Sequence, residues 1–91
     1  MDKKREAIKV VADLLEIPRD LVLDLPKLTV IGRTEIHIEN HRGIIEYSLN
    51  RIRVNLSRGY LELEGADFEI KALLPDEMHI IGEIRSIRYL D

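Results

Sequence analysis

The chain has 91 residues, 45% of them hydrophobic and 34% charged, a globular composition with no apolar run near the roughly 20 residues that a membrane-spanning helix needs. Its net charge is −3: residues 1–27 balance six basic against six acidic side chains, and residues 28–91 carry eight basic against eleven acidic. A nucleic-acid face needs a basic excess, so residues 28–91 are not expected to bind nucleic acid. With no cysteine, disulfides and thiolate metal sites are excluded.

The chain reads as one domain, residues 1–91, with a helical N-terminal segment over 1–26 and a β region over 27–91. Over residues 3–16, Ile8, Val11, Ala12 and Leu15 fall on one helical stripe, with Lys4, Glu6, Lys9, Asp13 and Glu16 mostly opposite. Pro18 ends this amphipathic helix, because the residue before a proline is pushed out of the helical region. Leu21–Leu25 then forms a short helical turn or a loop. Met1–Arg5 is followed by a segment broken by charge rather than by an apolar signal core, so the expected location is the cytosol.

From Leu28 onward a unit of sixteen to seventeen residues runs four times. Copy one is Leu28, Val30, Gly32, Ile36, Ile38; copy two is Ile45, Tyr47, Leu49, Ile52, Val54. Copy three is Leu61, Leu63, Gly65, Phe68, Ile70, and copy four is Met78, Ile80, Gly82, Ile84, Ile87. Period-two alternation marks strands with one buried face. Strands are expected near 28–31, 34–39, 44–48, 51–55, 60–64, 67–72, 78–81 and 84–89. Glycine at the first turn position suits type II′ hairpins at Gly32, Gly65 and Gly82. The expected fold is therefore mainly β: an eight-strand antiparallel meander that curls into a small sandwich or roll. A β-solenoid with copies stacked in parallel is the alternative.

Short, hairpin-like connections favour the meander. Cross-strand charge is a weak check on which meander and solenoid come out close, the solenoid placing Arg51 over Asp67 and Arg53 over Glu69 but also Glu46 over Glu62. Pairing Val54 with Leu61 sets Arg53 opposite Glu62 and Arg51 opposite Glu64, and pairing Tyr47 with Ile52 sets Glu46 opposite Arg53. Opposite charges so placed favour pairing by about 0.2–1 kcal/mol each. A tight turn at Gly65-Ala66 would bring Glu62 against Glu69, an unfavourable pair.

Chemistry is sparse. His37 and His79 alternate outward and His41 lies in a turn, so all three read as solvated, with no metal-ligand spacing. Ser48, Ser57 and Ser86 lie outside any nucleophile elbow, and no glycine-rich phosphate loop is present. Glu62, Glu64 and Glu69 are the sole acidic site an enzyme could use, and they read more simply as a solvated sheet face. No catalytic residue, cofactor or metal is assigned. An Arg-Gly pair recurs at Arg42-Gly43 and Arg58-Gly59; with Tyr60 and Tyr89, Arg42 and Arg58 form the candidate interaction surface.

Ordered runs carry a resemblance. Leu28-Thr29-Val30-Ile31-Gly32-Arg33, Ile36 through Tyr47, Ile52-Arg53-Val54-Asn55, Gly59 through Gly65, Phe68 through Pro75 and Ile80 through Ile84 resemble the YabP/YqfC family of sporulation proteins. The Leu25-Pro26-Lys27-Leu28 junction and the N-terminal helix fit as well, so the likeness covers nearly the whole chain. The resemblance implies a small protein of endospore-forming bacteria, made in the mother cell and needed for spore development. It carries no catalytic motif. It also implies a membrane-anchored sporulation partner at the membrane around the forespore, with this chain cytoplasmic or peripheral there. The expected function is thus a non-enzymatic interaction module. A self-assembling structural β protein, a homo-oligomer, is the second reading, and an enzyme with an acidic site is the third.

Overall fold

The structure, a computed structural model, describes residues 24–91. The expected helix over 3–16 lies outside the described residues, as does nearly all of the 21–25 stretch. Six strands follow: β1 (Lys27–Ile31), β2 (Glu35–Glu39), β3 (Ile44–Tyr47), β4 (Arg51–Asn55), β5 (Tyr60–Leu73) and β6 (Glu77–Leu90). They form a single open antiparallel sheet in the order β1-β2-β6-β5-β4-β3. Every pairing is antiparallel, so the copies do not stack as a solenoid.

The eight expected strands become six because copies three and four do not turn back. Copies one and two are hairpins, β1–β2 and β3–β4, whereas copies three and four are each one strand of 14 residues. Where a hairpin was expected at Gly65-Ala66 and Gly82-Glu83, the β5–β6 ladder shifts register and runs on. The copy-one hairpin lies along β6: Gly82 N–H donates to the Thr34 carbonyl at 3.0 Å and Ile84 N–H to Arg33 at 2.7 Å. The copy-two hairpin repeats this on β5, with Gly65 N–H to Asn50 and Phe68 N–H to Leu49, both 3.0 Å. The four copies therefore give two equivalent halves, joined through the long β5–β6 hairpin.

That hairpin must fold over. Fourteen extended residues span about 46 Å. β2 ends opposite Glu77 at the tip of the hairpin, and β4 ends opposite Tyr60 at its base. Yet residues 40–43, which reach at most about 18 Å between Glu39 and Ile44, join the end of β2 to the start of β3, where Ile44 pairs with Val54 at the end of β4. Asn40 and His41 donate backbone hydrogen bonds to Asp76, at 2.6 and 3.2 Å, and Arg42 donates to Asn55 at 2.7 Å. The tip is thus brought back to the base.

The fold-over explains the burial. Ile36, Ile38, Met78 and Ile80 of one half and Ile52, Val54, Leu61 and Leu63 of the other are all 0% exposed and belong to one core cluster. Phe68, also fully buried, sits at the bends. A Cβ on Gly65 would fall within 2.9 Å of the Phe68 ring and collide with the Glu83 carbonyl; one on Gly82 would come within 2.8 Å of the ring. Gly65 therefore serves close approach of two strands, not a hairpin turn.

The register read from charge is the one observed: Arg53 opposite Glu62, Arg51 opposite Glu64 and Glu46 opposite Arg53. The feared Glu62–Glu69 pair does not form, because the continuous strand sets Glu62 opposite Arg88 and Glu69 opposite Ile81. Leu63 and Phe68 are buried as expected, and Ile70 is half-buried.

Candidate functional site

The loops that gather at one end place the two recurring arginines differently. Arg42 reaches Asp24 Oδ1 at 2.6 Å, beside Asn40, which donates to the same oxygen at 3.1 Å and to the Leu25 carbonyl at 3.0 Å. The Ser57 hydroxyl donates to the Asp24 carbonyl at 2.9 Å. Hydrogen bonds from Asn40 and then Arg42 hold the Asp24 carboxyl below its ordinary range, against a smaller opposing effect of burial. Arg42 thus fastens the chain before β1 to the β2–β3 connection. Arg58 is exposed in the β4–β5 turn.

The two tyrosines lie on opposite faces. Tyr60 is half-buried on the outer face, with the Arg53 guanidinium 5.8 Å from its ring centre. Tyr89 pairs with the core residue Leu61, so it shares the inner face, yet it is 63% exposed. Tyr60 and Tyr89 therefore do not share one face of the sheet.

Glu62, expected to be exposed, is 2% exposed although it points outward. It is the centre of a cross-strand row, Glu46–Arg53–Glu62–Arg88, running from β3 to β6. Arg53 Nε lies 2.9 Å from one Glu62 oxygen and 3.4 Å from Glu46, while Arg88 binds the other Glu62 oxygen. The two guanidiniums cover the carboxylate. The hydrogen bond from Arg88, then that from Arg53, hold the Glu62 carboxyl below its ordinary value and outweigh its desolvation. Glu64 adds contacts to Arg51 at 3.5 Å and Arg88 at 3.8 Å. Glu69 is beyond the bend, paired with Lys71 at 3.3 Å. The three carboxylates do not converge, and Glu62 is an ion-pair acceptor rather than a poised proton donor.

His37 and His79 stand opposite each other on β2 and β6, rings edge-on with centroids 6.2 Å apart, and His79 Nε2 is 3.6 Å from Glu35. Among the described residues no three His, Asp or Glu side chains form a metal-holding group. His41 is not solvated: it is 2% exposed. Its Nδ1 accepts the Gly43 N–H at 2.8 Å, which fixes the tight connection, and its Nε2 finds no hydrogen-bond partner among the described residues. The alternation could not show this, because His41 lies between strands.

Apolar side chains remain uncovered along two seams where the folded sheet meets itself. In one seam β1 faces the second half of β6, and Val30, Arg33, Ile84 and Ile87 line a cleft of about 480 Å³. In the other β3 faces the second half of β5, tied by the Tyr47 hydroxyl donating to the Phe68 carbonyl at 2.8 Å. Val30, Ile31 and Tyr89 are exposed on the first seam; Ile45, Tyr47, Leu49, Leu73 and Leu74 are exposed on or beside the second. Together they are all but Leu25 of the exposed large apolar side chains among the described residues. Tyr47, expected to turn inward, does pair with buried Ile52 but remains 47% exposed because β3 is an edge strand.

A single curled sheet with hairpin repeats, an internal ion-pair row and apolar free edges defines a small all-β protein. A sequence model of the YabP family matches residues 24–91, which are the described residues. The chain is also 46% identical over 77 residues to the uncharacterized protein YqfC of Bacillus subtilis (strain 168), covering 85% of this chain and 83% of that protein. The chain belongs to the YabP family. Among the described residues no helix is long and apolar enough to cross a membrane.

Proposed function

We propose that this protein is a non-enzymatic interaction module of sporulation, acting in the mother cell with a membrane-anchored sporulation protein at the membrane around the forespore. The sporulation context rests on family membership. The interaction reading rests chiefly on one observation: among the described residues the exposed large apolar side chains, all but Leu25, gather on or beside strands at the edges of the folded sheet instead of being scattered. Unpaired edges accept an added strand through backbone hydrogen bonds, and flanking apolar side chains supply the contact area. The non-enzymatic reading is supported by Glu62, whose carboxylate is committed to two arginines.

Cross-linked pull-down from sporulating cells, with the full chain as bait and a known interacting pair as control, tests the proposal. The expected result is capture of a membrane-anchored sporulation protein, and weaker capture by the edge variant Tyr47→Ser. An empty pull-down in lysates where the control pair is recovered overturns it.

A further inference from the structure

Among the described residues, Leu25 is the one large exposed apolar side chain away from the seams, and it stands where the chain joins the sheet. The junction is at the loop end. Asp24 accepts hydrogen bonds from Asn40 and Arg42 through its carboxylate and from Ser57 through its carbonyl. The chain arriving from residue 23 is thus delivered between the β2–β3 connection and the β4–β5 turn. Asn40 brings the hairpin tip to the same place. Its backbone N–H donates to the Asp76 carbonyl at 2.6 Å and its side chain to the Leu25 carbonyl at 3.0 Å. Leu74 in that tip is 52% exposed and Leu25 is 46% exposed, so this end presents apolar surface of its own.

His41 sits at this end, between Asn40 and Arg42. Its Nδ1 accepts the Gly43 N–H, so the neutral ring carries its proton on Nε2. That N–H is buried and has no acceptor among residues 24–91. Buried donors are almost always paired, because losing water without gaining an acceptor is costly. The acceptor for His41 therefore comes from outside residues 24–91. The sequence before Asp24 carries apolar surface to match: the stripe Ile8, Val11, Ala12 and Leu15, and then Leu21–Leu23 leading straight to the junction. One apolar face of a helix has to be buried against another element. The residues between Glu16 and Asp24 extend to at most about 28 Å, and fourteen helical residues are about 21 Å long. The stripe can therefore lie back across the end it leaves.

We propose that the segment before Asp24 folds back over the loop end of its own chain, its apolar stripe covering Leu25 and Leu74 and one of its oxygen atoms accepting the His41 Nε2 proton. Attachment at Asp24 selects this occupant over a separate molecule. A short tether holds the segment at an effective concentration on the order of millimolar, with no association step to complete. The two seams and the β3 edge stay open, so the inference stands apart from the interaction-module reading, and neither test decides the other.

Nuclear magnetic resonance of the full chain carrying one nitroxide label tests it, and the lack of cysteine lets the label go to a single chosen position. A label on Arg58→Cys, exposed at the loop end, is expected to extinguish the signals of Val11 and Leu15. A label on Leu49→Cys, exposed at the far end of β3, is expected to leave them. Labelled chain mixed with isotopically enriched, unlabelled chain is expected to cause no loss, because the contact lies within one chain. The His41 ring N–H is expected as a slowly exchanging signal in the parent. It is expected to be lost in Val11→Asp with Leu15→Asp, and lost again in Leu74→Asp, which changes an exposed turn residue on the other side of the contact. Unchanged amide signals of Leu61 and Ile80 report an intact sheet in each variant. Val11 and Leu15 signals that survive the Arg58 label, or that fall equally to both labels, overturn the proposal. Loss in the mixture overturns it too, since the occupant is then a second copy. A His41 proton that exchanges alike in the parent and both variants overturns it as well, because its acceptor is then water.

Discussion

The two halves of the sheet hold the same row of four outward positions and fill it in opposite ways. Across β3, β4, β5 and β6 the row is Glu46, Arg53, Glu62 and Arg88. Across β1, β2, β6 and β5 the equivalent row is Thr29, His37, His79 and Ala72. The inward positions hardly differ: Ile36, Ile38, Met78 and Ile80 answer to Ile52, Val54, Leu61 and Leu63, all fully buried. The repeat thus constrains the face that packs, where a shared core tolerates little change of volume. The outward face is free to diverge, and one half has become an interlocked ion-pair row.

The largest effect should come where the halves meet. Phe68→Ala removes the ring lying against both bends and should cost about 3–5 kcal/mol, in a single cooperative transition by chemical denaturation. Two separate transitions would show that the halves have separate cores. Leu63→Ala and Ile80→Ala, at equivalent buried positions, should each cost about 2–5 kcal/mol. A large gap between them would break the equivalence.

Next come the glycines. Gly65→Ala drives a methyl into the Glu83 backbone carbonyl, which cannot rotate away, and should cost about 3 kcal/mol, the upper end of overpacking. Gly32→Ala meets open space, and its positive φ of 56° alone should cost roughly 1–2 kcal/mol. Thermal melts of the two variants separate close approach from turn conformation; equal losses would remove the distinction drawn between them.

The outer rows should part company in acid. Glu62 has a lowered carboxyl pKa in the folded state, so the stability it contributes is present above the ordinary value of 4.5 and is lost as pH falls through the lower folded value. Glu62→Gln should therefore be destabilising at neutral pH and show a shallower loss below about pH 4.5 than the parent chain. Denaturation midpoints over that range check the sign, and parallel curves would mean that the row is not what binds the proton. The smallest effect is expected at Leu49→Ser, within about 0.5 kcal/mol of neutral, because this repeat position is 62% exposed at an edge.

The amino-acid sequence by itself determined the inward faces of β2, β4 and the first halves of β5 and β6, the antiparallel register around β4, and the family. On β3 it chose Ile45, whereas a register shift turns Ile44 to Val54 and leaves Ile45 exposed. Alternation and cross-strand charge are local signals, and Arg53 opposite Glu62 could be read from them because a short turn leaves one register that buries Val54 and Leu61 together. Tertiary structure decided what identical spacings became. Gly32 and Gly65 occupy the same repeat position, yet one sits in a hairpin turn and the other in a continuous strand, since β6 stands beside β5 to accept its hydrogen bonds. The burial of Glu62 likewise required Arg88, which lies 26 residues away. His41 was hidden for the same reason: only the return of the hairpin tip, carrying Asp76, closes the connection over it. The exposed seams could not be read from the pattern either. Val30 and Tyr47 look like core residues in sequence, and their exposure follows from the edge places that β1 and β3 take in the folded sheet.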